Sequence, residues 1–159
     1  MSVNHFRRRF SGGFAGMCAW FTTFGSTTPG AADATTSHDP LVQRAGVITG
    51  GATIRNGRVH IDTPRLADNG HSVPVTVNVD SAMTATDFVR RITLVSESNP
   101  RPLIATFHLS AKSGRAEITT RIRLNKTQQV MALAELSDGS FWSSQAEVIV
   151  TESACLDAD

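Results

Sequence analysis

The residue best placed to do chemistry is Cys155, in the C-terminal run VIVTESACLDAD. A thiol acts as a nucleophile or a covalent attachment point through its thiolate. This one follows directly on the last strand-forming residues and lies on a short acidic tail, where the chain has no means to bury it. From Thr151 an extended segment reaches roughly 15 Å to the cysteine, enough to carry a thiol off the domain surface into another protein's pocket. A cysteine enzyme would need a base and an orienting group fixed around the sulfur. His60, His71 and His108 are the histidines that folding could bring near the tail, but a loose tail does not hold such a geometry, and the reading is a carrier rather than an enzyme. The five histidines, His5, His38, His60, His71 and His108, show no metal-ligand spacing, so no metal and no bound cofactor is expected. GVITGGA lacks the Lys-Ser/Thr ending of a phosphate loop and reads as a turn or bulge.

The other cysteine, Cys18, belongs to a segment that reads as an address. Arg7, Arg8, Arg9 and Phe10 fit the twin-arginine pattern R-R-x-F, and a weakly apolar Gly-rich stretch and small residues follow. Residues 1–34 are therefore expected to be a signal peptide cleaved after Ala34, placing the mature protein in the periplasm. The apolar part is short and rich in Gly and Thr for a span of about 20 residues, and Met17 before Cys18 does not suit lipid attachment, so no membrane association is expected after cleavage. The mature chain then enters an oxidising compartment with one thiol, which implies intermolecular pairing or a free reactive group. With 15 basic and 14 acidic residues, the 159-residue chain has no broad field to attract nucleic acid.

The elements that must position the tail are strands. From Gly46 onward, short runs with period-2 alternation are separated by turn residues, the pattern of an all-β sandwich. Asn56-Gly57 and Asp138-Gly139 are hairpin cues, because both residues tolerate the positive φ of a tight turn. Val73, Val75, Val77 and Val79 share one face of a strand in which Pro74 marks an edge or a start. Leu103, Ala105, Phe107 and Leu109 alternate inward, as do Ala116, Ile118, Thr120, Ile122 and Leu124. The count is about seven strands, the spacing that of an immunoglobulin-like antiparallel sandwich. Only DPLVQRAGV looks helical. Arg90, Arg91, Arg101, Arg115, Arg121 and Arg123 include outward strand positions, a solvated face or a docking patch for an acidic partner, and Trp142 reads as a core or subunit-interface anchor. The domain spans 35–151 and a mobile arm 152–159.

LADNGHSVPVTVNVDS, SNPRPLIATFHLSAKSGRAEITTRIRL and QQVMALAELSDGSFW together resemble the SoxY family, the sulfur-carrying subunit of the periplasmic thiosulfate-oxidising system. The resemblance covers nearly all of the mature chain. It implies an immunoglobulin-like sandwich paired with a SoxZ-like subunit as a heterodimer, with sulfur intermediates held covalently on a C-terminal swinging-arm cysteine, here Cys155. It further implies haem and hydrolase enzymes as transient partners, the first joining the thiol to thiosulfate and the second releasing sulfate. The arm departs from the family's Gly-Gly-Cys-Gly-Gly. Glu152 is followed by Ser153, Ala154, Cys155, Leu156 and Asp157, similar to the related subgroup whose arm reads Ala-Ala-Cys-Ile-Glu. Glu152, Asp157, Asp159 and the terminal carboxylate surround the thiol with negative charge, which disfavours the thiolate and repels anionic cargo. The alternative from another class is an exported binding or structural module whose lone cysteine forms an intermolecular disulfide.

Overall fold

The computed structural model describes residues 39–152. Helix α1 (Pro40–Thr49) forms where DPLVQRAGV looked helical. Asp39, in extended backbone, accepts a hydrogen bond from the Leu41 N–H at 2.8 Å, and Pro40 opens the first turn, where its missing N–H costs nothing. The helix ends at Gly50, left-handed at φ 65°, with the Gly51 N–H closing on the Gly46 carbonyl at 2.9 Å. GVITGGA is thus the last turn and cap of a helix rather than an isolated turn or bulge. No helix among the described residues is long and apolar enough to cross a membrane.

Nine strands follow among the described residues: β1 (Ile54–Asn56), β2 (Val59–Asp62), β3 (Leu66–Asn69), β4 (Val73–Val79), β5 (Val89–Ser96), β6 (Leu103–His108), β7 (Glu117–Ile122), β8 (Gln128–Leu136) and β9 (Phe141–Glu152). They make two facing sheets, as the alternation predicts. One runs β1-β9-β8-β5-β6 with β3 also on β9, and the other runs β2-β4-β7. Asp138-Gly139 does join an antiparallel pair, β8 and β9, with Gly139 at φ 80°.

Asn56-Gly57 does not form the expected hairpin. β1 pairs in parallel with β9 (Ile54↔Phe141), β2 crosses to pair antiparallel with β4 (Val59↔Val79), and β3 returns in parallel to β9 (Leu66↔Ile149). The Asn-Gly pair makes a corner at which one edge segment changes sheet. A turn cue reports that the backbone can bend; which strand pairs next is decided by burial, and Val59 faces the core between the sheets. This change of sheet raises the strand number above seven and adds two parallel pairings to an otherwise antiparallel sandwich.

That core sets Val73, Val75, Val77 and Val79 of β4 against Ile92, Leu94, Val130, Ala132, Ala134, Leu136, Val148 and Val150 of the larger sheet. Each fully buried valine contributes about 1.5–3 kcal/mol relative to exposure. The outer face of the larger sheet is apolar as well, because α1 lies on it: Leu41 and Ala45 pack with Val95, Met131 and Leu133. Pro74 sits one residue inside β4, beyond the last β2 pair at Thr76, so no ladder bond is lost there; the Thr63 hydroxyl donates to its carbonyl instead. Leu103 does not turn inward. It is 53% exposed, because β6 carries a β-bulge opposite Leu94 and Val95 that leaves Ile104 as an extra residue and reverses the phase ahead of Ala105.

Candidate functional site at the end of β9

β9 has 12 residues, but β8 accompanies it only as far as Gln128↔Val148. Residues 149–152 therefore project past β8 and are held by other means. On one side β3 pairs Leu66↔Ile149, Ala67↔Val150 and Asn69↔Glu152. On the other, the Thr127 hydroxyl replaces a strand, accepting from the Val150 N–H at 2.9 Å and lying 3.4 Å from its carbonyl. The Thr151 hydroxyl donates to the Asp68 carbonyl at 2.6 Å, and the Gly70 N–H donates to the Glu152 carbonyl at 2.8 Å. Gly70 in turn accepts from the Leu124 N–H at 2.8 Å, which ties the root of the tail to both sheets.

A buried polar knot underlies this end. The Gln128 side-chain amide donates to Asn99 Oδ1 at 2.8 Å and to Asn125 Oδ1 at 2.9 Å, while its oxygen accepts from the Ser98 N–H at 2.8 Å. Asn99 also donates to the Arg123 carbonyl and accepts from the Asn125 N–H. The knot locks the loop after β5 to the loop before β8, and so fixes Thr127 where it can hold Val150. Sequence reading missed Gly70, Asn99, Asn125, Thr127, Gln128 and Thr151. The separations, up to 30 residues within the knot and 83 between Thr151 and Asp68, leave no local signal.

Glu152, read as the first arm residue, is the last residue of β9, because backbone pairing to β3 runs through it. The other sequence-predicted positions, Ser153, Ala154, Cys155, Leu156 and Asp157 of the arm and Arg7, Arg8 and Phe10 of the export signal, lie outside the described residues. Of the histidines considered as a base, His71 alone is at this end, in the turn next to Gly70, where its N–H donates to Asn69 Oδ1. His60 pairs with Asp80 at 2.9 Å near the far end of β4, and His108 faces Arg91 across β5 and β6. Exposed Arg65, Asp68, His71, Arg123 and Lys126 give the rim mixed charge. The arginines noted in sequence are spread over the fold. Arg91 pairs with Glu135 at 2.6 Å, Arg90 donates to the Ser137 carbonyl and Arg121 to Ser72. Trp142 packs on the main core, with the Arg55 and Arg58 guanidinium groups over its ring at 5.7 and 5.6 Å. No group of three or more His, Cys, Asp or Glu able to hold a metal ion occurs among the described residues.

The family model for "Sulfur oxidation protein SoxY" matches residues 45–155, most of the chain. The chain belongs to the SoxY family. The sulfur carrier protein SoxY from Chlorobium limicola f thiosulfatophilum has a similar structure, with TM-score 0.59 and 25% identity over 70% of this chain and 96% of that one. Superoxide reductases also share the fold: the neelaredoxin of Ignicoccus hospitalis at TM-score 0.55 and 16% identity, covering 61% of this chain and 94% of that one, and the enzyme of Nanoarchaeum equitans at 0.52 and 12%, covering 60% and 100%. At such identities the likeness is one of architecture alone. No curated protein sequence matches significantly. The SoxY match runs through the projecting end of β9 and stops at Cys155.

Proposed function

We propose that this SoxY-family chain is a non-catalytic periplasmic carrier that holds sulfur-oxidation intermediates covalently on Cys155 and presents them to partner enzymes. The observation that carries this reading is the extent of the family match, which takes in the tail and ends on the cysteine. The fold supports it: the sandwich ends in a strand clamped on both sides as far as Val150 and held from the β3 side from there to Glu152, and the three residues from Glu152 to Cys155 span about 10 Å. The arm is Ser153, Ala154, Cys155, Leu156 and Asp157. No resident cofactor is required, since the cargo is the sulfur adduct itself. Export by the twin-arginine signal at Arg7, Arg8 and Phe10 would deliver the chain folded, together with a SoxZ-like subunit lacking a signal of its own. Haem and hydrolase enzymes would load and process the adduct. Because Leu156 and Asp157 replace glycines, the enzyme that receives this arm has a wider and more cationic entrance than one fitted to Gly-Gly-Cys-Gly-Gly.

Intact-mass measurement of the mature protein from cells oxidising reduced sulfur tests the proposal. Sulfane or sulfonate adducts on Cys155, released by reductant and absent from Cys155→Ser, are expected. A thiol that stays unmodified, or whose only modification is a disulfide to another polypeptide, overturns it.

A further inference from the structure

The strand that bears the arm is held most lightly where the arm begins. Val150 is anchored in the core at 9% exposure, and its N–H is taken by Thr127. Thr151 and Glu152 are both exposed, and β8 has ended well before them at Gln128↔Val148. What keeps these two residues in the sheet is a clip from β3 and the turn after it: the Asn69↔Glu152 pairing, the Gly70 N–H on the Glu152 carbonyl, and the Thr151 hydroxyl on the Asp68 carbonyl. The clip is parallel, two-stranded and open to water, a weaker arrangement than the antiparallel, multi-stranded pairing of β9 with β8. Opening it uncovers no apolar core, whereas opening one residue further would pull Val150 out. The release therefore has a built-in stop.

We propose that Thr151 and Glu152 are a reserve of arm length, and that Thr151 and Gly70 are positioning residues that set how far Cys155 reaches. With the clip closed, the cysteine lies three residues from its anchor at Glu152, about 10 Å extended; with the clip open it lies five residues from Val150, about 17 Å. A carrier that meets enzymes with differently recessed sites gains about 7 Å of reach without unfolding its domain. The clip also explains why a hydroxyl stands at 151. A side chain there faces solvent, and its hydrogen bond to a β3 carbonyl adds strength that the short parallel ladder lacks. This inference rests on the reading of Cys155 as the attachment residue, but the distance it predicts does not depend on any sulfur chemistry.

The test uses the mature chain spin-labelled at Cys155 and at an engineered cysteine, Lys112→Cys, an exposed site between β6 and β7 at the end of the sandwich away from the arm root. Thr151→Val keeps the β-branched shape and removes the hydroxyl. It is expected to shift the pulsed electron-spin distance distribution outward by up to about 7 Å and to speed hydrogen exchange at the Gly70 amide, while the Leu133 amide and the melting temperature stay as in the parent. Thr151→Ser, which restores the donor, is expected to return both readouts to the parent values. An unchanged distance distribution and Gly70 exchange in Thr151→Val overturns the proposal. So does a loss of protection shared equally by Gly70 and Leu133, which would make the hydroxyl a support of the whole domain. Should Cys155 prove never to carry sulfur while the distance still shifts, the functional reading fails and the clip stands.

Discussion

At the scale of single residues, the polar groups beneath the end of β9 decide more than the charged ones on the surface. Gln128 is 3% exposed and makes bonds to Asn99, Asn125 and Ser98 that water cannot replace. Gln128→Ala is expected to lower unfolding stability by about 2–3 kcal/mol in urea titration, because it strands several partners. Its exposed neighbour Gln129, changed to Ala, should stay within about 0.5 kcal/mol of the parent. In sequence the two glutamines look alike; the β8 register alone turns one inward. Asp138 offers a pH test. Its carboxyl is held below the ordinary carboxylate range, first by the Ser140 side chain and then by the Ser140 N–H. A depressed folded-state value means stabilisation present above the unfolded carboxylate range and lost as pH falls through the folded value. The stability gap between the parent and Asp138→Asn, followed by thermal melts, should therefore narrow below about pH 4.

At the scale of elements, the strands of β4 and β7 could be read directly, because each has one face in the core and one in water, and alternation then records burial. β8 could not be read this way. QQVMALAEL is buried on both faces, since α1 covers the side that would otherwise meet solvent. The helix thus serves as a lid on a sheet, and Leu41, fully buried, is its main anchor. Leu41→Ala is expected to cost about 3 kcal/mol, with faster exchange at Met131 and Leu133 and little change at Val75 and Val77. An equal loss across both clusters would show a single core. The change of sheet through β1, β2 and β3 was illegible for a related reason: Asn56-Gly57 specifies a bend, while β2 finds its partner in β4, on the other side of the intervening β3.

At the scale of the whole molecule, the proposed carrier role makes the residues around Cys155 the ones that would select the enzyme. If Leu156 and Asp157 exclude this chain from a channel fitted to glycine, then Leu156→Gly with Asp157→Gly should raise the rate of oxidative thiosulfate coupling by the haem enzyme of a Gly-armed system. The expected gain is about tenfold, equivalent to removing roughly 1.4 kcal/mol of steric and charge opposition. Rapid-mixing measurement of adduct formation on Cys155 checks it, and an unchanged rate would move the specificity from the residues around Cys155 to the sandwich.

By itself the sequence determined the class of the molecule: alternating valines make half-buried strands, a capped DPLVQRAGV makes a helix, and Cys155 follows the last strand-forming run. These are local facts, written within a few residues of each other. Tertiary structure alone decided where β9 ends and how firmly its last residues are held, because Gly70, Asp68, Thr127 and Thr151 converge from distant parts of the chain. A hydrogen bond across 83 residues leaves no periodicity behind, and the pairing of β3 with β9 that creates it exists only once both sheets have closed over their shared core.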